Sequence, residues 1–153
     1  MFSLVVADVF DAAGALRRAG EAIAATAGQT QARWQLMSVV SVGEWTVPMA
    51  AERLGTSRQA VQRIANELVG DGLAAFLANP RHRRSPFLRL SRRGADVLAA
   101  ITEQAHSDHA VVVAGLPDID LAGLRSGLQR LTQGARSSLP QRRGVGGPVR
   151  RYP

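Results

Sequence analysis

The sequence predicts a mainly α fold that carries one small β hairpin. Three observations predict it. Apolar residues recur at spacings of three and four along most of the chain, the period of a helix buried on one side. Two short apolar runs, residues 73–77 and 87–90, bracket a polar loop. Turn chemistry falls where the helical period breaks: Gly55-Thr56-Ser57, Asp71-Gly72 and Asn79-Pro80. With 153 residues and 46% hydrophobic content, the chain is long and apolar enough for a domain with its own core.

The first helix is read from Val9, Ala13, Leu16, Gly20, Ile23 and Ala27, one apolar stripe in which small residues allow close packing. A second helix over about 31–42 uses Trp34, Met37 and Val40 or Val42. A short third helix buries Ala50 and Leu54, and its neighbour buries Val61, Ile64 and Leu68. Between these two, Gly55 supplies the left-handed residue that ends a helix, and Ser57 supplies an N-cap. Ala51 is small enough for the two helices to cross closely. This is the spacing of a helix-turn-helix. Residues 73–77 and 87–90 then pair as a hairpin, or wing. Ser91 starts a long helix to about residue 115, with Val97, Leu98, Ile101, Ala105 and residues 111–113 apolar. Pro117-Asp118 starts a last helix carrying Leu121, Leu124, Leu128 and Leu131.

The chemistry concentrates in two places. With Val61, Ile64 and Leu68 inward, the second helix of the pair exposes Arg58, Gln59, Gln62, Arg63 and Asn66, with no acid before Glu67. Arginine can grip guanine through two acceptors, and glutamine can pair with adenine in the same way. Ser57 and Arg58 stand at the helix N-terminus, where free N–H groups favour phosphate. Residues 79–93 hold six arginines and no acid; Arg81, Arg83 and Arg84 crowd the loop itself. Like charges without counter-ions repel, so a polyanion is the expected partner, and a narrow minor groove attracts inserted arginine. The bland reading of both surfaces is a solvated polar face. The pattern points instead to double-stranded DNA, with Arg58, Gln59, Gln62 and Arg63 on base edges, Ser57 and Asn66 on phosphates or base edges, and Arg81, Arg83 and Arg84 in or beside the minor groove.

Residues 31–103 resemble the winged helix core of MarR-type bacterial transcription regulators. The resemblance is carried by MAAERLGTSRQAVQRIANELVGDGL, then NPRHRRSPFLRLSRRGADVL. Ser91 stands where the family's element at the start of the long helix has threonine, and His82 stands where its wing has an aspartate that orients the arginines. The resemblance implies a winged helix-turn-helix with N- and C-terminal dimerisation helices. The organisation expected is a helical dimerisation region over 1–30 and 95–132, a DNA-binding domain over 31–94, and a flexible basic tail over 133–153. The last helix's leucine stripe exceeds what the small core can absorb, which favours a homodimer over intramolecular packing. The resemblance also implies a small aromatic or phenolic effector near Phe10, Trp34, Met37, Trp45 and Met49, positions that for the most part read better as core. The function expected is a palindrome-reading repressor. The other reading is a nucleoid-type winged helix that binds DNA without sequence choice or acts through protein partners.

The remaining classes are bounded by what the chain lacks. There is no cysteine, which excludes disulfides, thiolate zinc sites and thiol redox sensing. His106 and His109 share a helix face, but with His82 far away in sequence only carboxylates such as Glu103 could complete a metal site, so no metal or other cofactor is expected. No catalytic triad, phosphate-cradling glycine loop or paired acid marks an enzyme. No apolar run is long enough to span a bilayer, and Asp8 interrupts the apolar start, so a cytoplasmic protein is expected. Charge is uneven: −1 over 1–78, +6 over 79–93, −3 over 94–132 and +5 over 133–153.

Overall fold

The structure is a computed structural model that describes residues 1–138. Six helices and three strands follow in the order α1 (Phe2–Ala25), α2 (Gln31–Val40), β1 (Trp45–Thr46), α3 (Val47–Leu54), α4 (Arg58–Gly70), β2 (Ala74–Leu77), β3 (Phe87–Leu90), α5 (Arg92–Ala114) and α6 (Leu121–Ser138). The mainly α winged architecture expected from the sequence is present. The chain divides into two compact units, Met1–Val111 and a second that begins at Val112.

Each of α2, α3 and α4 starts at an identifiable cap. Thr30 accepts from the Arg33 N–H at 3.3 Å, and Glu21 of α1 accepts from the Gln31 N–H at 2.9 Å, so α2 begins tied to α1. Thr46 caps α3 by accepting from the Met49 N–H, and Ser57 caps α4 by accepting from the Ala60 N–H at 3.1 Å. Such caps are worth about 1 kcal/mol each. Gly55 ends α3 at φ 65°, the left-handed geometry required there.

The core gathers Ile23 of α1, Leu36, Met37 and Val40 of α2, Ala50 and Ala51 of α3, Val61, Ile64, Ala65 and Leu68 of α4, and Leu88, Ile101 and Ala105 beyond them. The inward residues of the helix-turn-helix are therefore those read from the period, with Leu54 half-buried at the edge. The sheet contains the expected hairpin, β2 with β3, and adds one strand to it. It has three strands in the order β1-β3-β2, both pairings antiparallel, with Trp45 opposite Leu88 and Phe76 opposite Leu88 on the other side. A two-residue strand is too short to show a period, so β1 left no sequence signature.

Helix boundaries also differ from expectation. The second helix stops at Val40 and leaves Val42 exposed. In the second unit, α6 starts at Leu121 rather than at Pro117-Asp118, because Asp120 accepts from the Gly123 N–H at 3.0 Å and sets the helix start. The helix continues to Ser138, so residues 133–138, expected as flexible tail, are helical; the rest of that tail, 139–153, lies outside the described residues. The apolar stripe of α1 is buried only toward its end, at Gly20 and Ile23, while Leu16 and Ala13 are exposed.

Candidate nucleic-acid interface

Burying Val61, Ile64, Ala65 and Leu68 fixes the rotation of α4 about its axis. Arg58, Gln59, Gln62, Arg63 and Asn66 then face outward, and all five are exposed. They are not equally free. Gln62 donates from Nε2 to Asn66 Oδ1 at 2.9 Å, which aligns the two amides along one edge. Arg63 pairs with Glu67 at 2.9 Å across one turn. Exposed pairs of this kind contribute little stability, but the acid neutralises the arginine locally. Arg58 carries no ion pair among the described residues, and Ser57 already uses its oxygen as the α4 cap.

The wing is built by β2 and β3, with Ala75 opposite Arg89 and Leu77 opposite Phe87. Between the strands, Arg81, His82, Arg83 and Arg84 are all exposed. Arg84, Ser85 and Pro86 approach the start of α4: together with Val47, Pro48, Arg58, Gln59, Gln62 and Phe76 they line a groove of about 370 Å³. Two arginines and two glutamines thus surround a floor of apolar side chains. Arg81 and Arg83 do not line this groove.

Sequence reasoning missed one residue here. Asn79 is buried, one of few buried polar side chains in the described residues. Its Nδ2 donates to the Ser85 carbonyl at 2.9 Å, and its Oδ1 accepts from the Arg81 and His82 N–H groups at 3.1 and 3.3 Å. The Asn-Pro dipeptide was a signal for it, because asparagine side chains commonly accept from backbone N–H groups just downstream. His82, which stands where an orienting aspartate is expected, has its backbone held instead: its N–H reaches Asn79 and its carbonyl accepts from the Ser85 N–H at 2.9 Å.

The far end of α4 is also fixed. Asp71 accepts from Arg33 of α2, and its carbonyl accepts from Arg93 of α5 at 3.3 Å. Ser91 donates from its hydroxyl to the Gly72 carbonyl at 2.7 Å, and accepts from the Gly94 N–H at 3.0 Å, capping α5 while holding the turn after α4.

The chain is similar to known proteins both in sequence and in fold. The model of the MarR family matches residues 27–85. Uncharacterized proteins of Mycobacterium tuberculosis (strain H37Rv) and Mycobacterium bovis are 49% identical over 136 residues, covering 89% of this chain and 95% of theirs. A crystal structure of a MarR family transcription regulator is similar with a TM-score of 0.77 at 23% identity, covering 89% of this chain and 91% of that one. The chain belongs to the MarR family. Its fold is also shared by the M. tuberculosis regulator MOSR in complex with DNA (TM-score 0.72, 22% identity, 86% and 96% coverage). A mutant E. coli MarR complexed with operator DNA is similar to the same degree (TM-score 0.72, 18% identity, 82% and 92% coverage). The fold of this chain is that of solved MarR family transcription regulators.

In this MarR-family chain the five residues expected around an effector differ in burial. Phe10 is 74% exposed on α1, Met49 is 45% exposed on α3, and Met37 is fully buried among core side chains. Trp34 and Trp45 pack against the core edge, with Trp45 Nε1 donating to the Val42 carbonyl at 2.6 Å. A different concavity, about 550 Å³, is lined by Val40, Glu44, Arg89, Leu90 and Leu98 among others. Asp108, between His106 and His109, accepts from Gln104 at 2.9 Å. Among the described residues no group of three or more His, Asp or Glu is placed to hold a metal ion, and no helix is long and apolar enough to cross a membrane.

Proposed function

We propose that this MarR-family protein is a sequence-reading, double-stranded-DNA-binding repressor. The observation that carries the reading is the groove shared by Arg58, Gln59 and Gln62 of α4 and Arg84 of the wing, whose lining contains no acid. Side chains that suit base edges in the major groove lie on one side, and a cationic loop suited to the minor groove on the other. Ser57 and Asn66 flank this face as phosphate or base-edge contacts. Arg63 contributes less, because Glu67 shares its charge. Arg81 and Arg83 extend the interface along the DNA backbone. The DNA complexes of the related fold in MOSR and MarR support the same assignment.

The working unit in this proposal is a homodimer that reads a palindrome. Phe2, Leu4, Phe10 and Leu16 leave an apolar surface exposed on α1, and Leu121, Leu124 and Leu128 leave one on α6. Exposed apolar surface on this scale marks an interaction site. A two-fold dimer would present its α4 helices about one DNA turn, roughly 34 Å, apart. A cytoplasmic location follows from a DNA partner. We further propose that a small ligand releases the DNA by occupying the concavity beside Arg89, whose lining sets apolar side chains next to one guanidinium and the Glu44 carboxylate.

Selection of bound sites from a random duplex pool tests the reading. A recovered inverted repeat with half-sites about one turn apart is the expected result. Recovery of unselected sequence with full affinity would overturn sequence reading in favour of nucleoid-type binding.

A further inference from the structure

The wing presents a physical problem. Arg81, Arg83 and Arg84 sit within four residues, with no acid in the loop to offset their repulsion. Left to itself, such a loop would spread over many conformations, and ordering it on DNA would cost entropy. Asn79 addresses this from beneath. It is buried, and its single amide makes three hydrogen bonds: two accepted at Oδ1 from the Arg81 and His82 N–H groups, one donated by Nδ2 to the Ser85 carbonyl. The first two fix where the loop leaves β2, and the third fixes where it returns toward β3. The loop is thereby closed at both ends by one side chain, with the Ser85 N–H to His82 carbonyl bond closing the tip. Ser85 and Arg84 are neighbours in the groove that faces α4, so the amide that holds Ser85 also sets where Arg84 stands.

We infer that Asn79 is the positioning residue of the wing: it presents Arg81, Arg83 and Arg84 as one preformed cationic unit without touching DNA itself. This rests on the DNA-binding reading above. Asparagine suits the task because it offers an acceptor and a donor at once. Alanine removes all three bonds. Aspartate keeps the two accepted bonds and loses the donated one.

The test is a double-mutant cycle on the full chain, with binding read by fluorescence anisotropy on a duplex recovered by selection and at low salt, so that weakened variants still bind. Asn79→Ala is expected to weaken binding about tenfold in the wild-type background and less than twofold in a background that already carries Arg81→Ala, Arg83→Ala and Arg84→Ala. Asn79→Asp is expected to recover part of the loss. Amide hydrogen exchange at positions 81 and 82 in the free protein is expected to accelerate in Asn79→Ala while that of the α4 core amides is unchanged. An equal loss of affinity in both backgrounds, or unchanged exchange at positions 81 and 82, overturns the inference. Failure of the wild-type protein to bind any duplex at low salt would instead overturn the DNA-binding reading on which it stands.

Discussion

Arg33 of α2 and Asp71 at the end of α4 form an ion pair at 2.5 Å, although 38 residues separate them in sequence. The arginine is largely buried, with 15% of its side chain exposed, while the aspartate is 56% exposed. The pair ties α4 to α2 at the end opposite Ser57 and Arg58. Arg93 of α5 reaches the carbonyl of the same aspartate, so one turn is held from both sides.

Breaking that pair is expected to loosen the domain. Arg33→Met keeps the aliphatic packing and removes the charge. Combined with Asp71→Asn in a double-mutant cycle, it is expected to show a coupling of about 1 kcal/mol, as for a charge-assisted bond with one exposed partner. Urea unfolding of the four proteins measures it, and strictly additive effects would mean that the pair contributes nothing.

Gly94 lies against the backbone of Leu73, where an added Cβ would run into the Leu73 carbonyl. Backbone cannot swing aside as a side chain can, so Gly94→Ala is expected to destabilise by on the order of 2 kcal/mol. Gly70 offers the contrast: a Cβ there meets nothing within 4 Å, and Gly70→Ala is expected to stabilise by about 0.5 kcal/mol through helix propensity. Opposite shifts in the urea midpoint check both at once.

Residues of the α4 face are expected to separate by function. Arg58→Ala and Gln62→Ala should each cost about 1–3 kcal/mol on the selected duplex and relax the choice at one base pair. Arg63→Ala should cost less, and Glu67→Ala, which frees Arg63, should tighten binding to random duplex. Affinities measured side by side on selected and random DNA decide it; equal losses on both for Arg58→Ala would remove its base-reading role.

The wing is expected to act through charge. Replacing Arg81, Arg83 and Arg84 together by alanine should reduce the slope of log affinity against log salt by roughly one for each phosphate that the loop no longer neutralises. An unchanged slope would show that the wing stays clear of the DNA.

Assembly is expected to depend on α6. Among the described residues this helix has none buried, and Leu121, Leu124 and Leu128 share one exposed face. Sedimentation at micromolar concentration should give a dimer mass for the wild-type chain and a monomer mass for Leu124→Glu. A wild-type monomer would count against the palindrome.

Much of this is legible in the sequence itself. Helical period and capping chemistry are local, so the helix-turn-helix, its inward residues Val61, Ile64 and Leu68, and the caps at Ser57 and Ser91 could be read directly. What was not legible has a common cause. The β1 strand exists only because Trp45 and Thr46 lie beside β3, and the burial of Asn79 depends on the loop folding over it. Phe10, Trp34, Met37, Trp45 and Met49, the positions expected near an effector, share an apolar character in the sequence, whereas the packing sends Met37 into the core and leaves Phe10 outside.

Residue order alone therefore determined which helices form, which face of α4 is buried, and that the wing is cationic, because each depends on interactions within a few residues. The tertiary structure decided which charges remain available. Nothing in the spacing says that Arg33 meets Asp71 or that Arg84, rather than Arg81, lines the groove facing α4. Those pairings join segments far apart in the chain, and only closure of the core brings them within reach of one another.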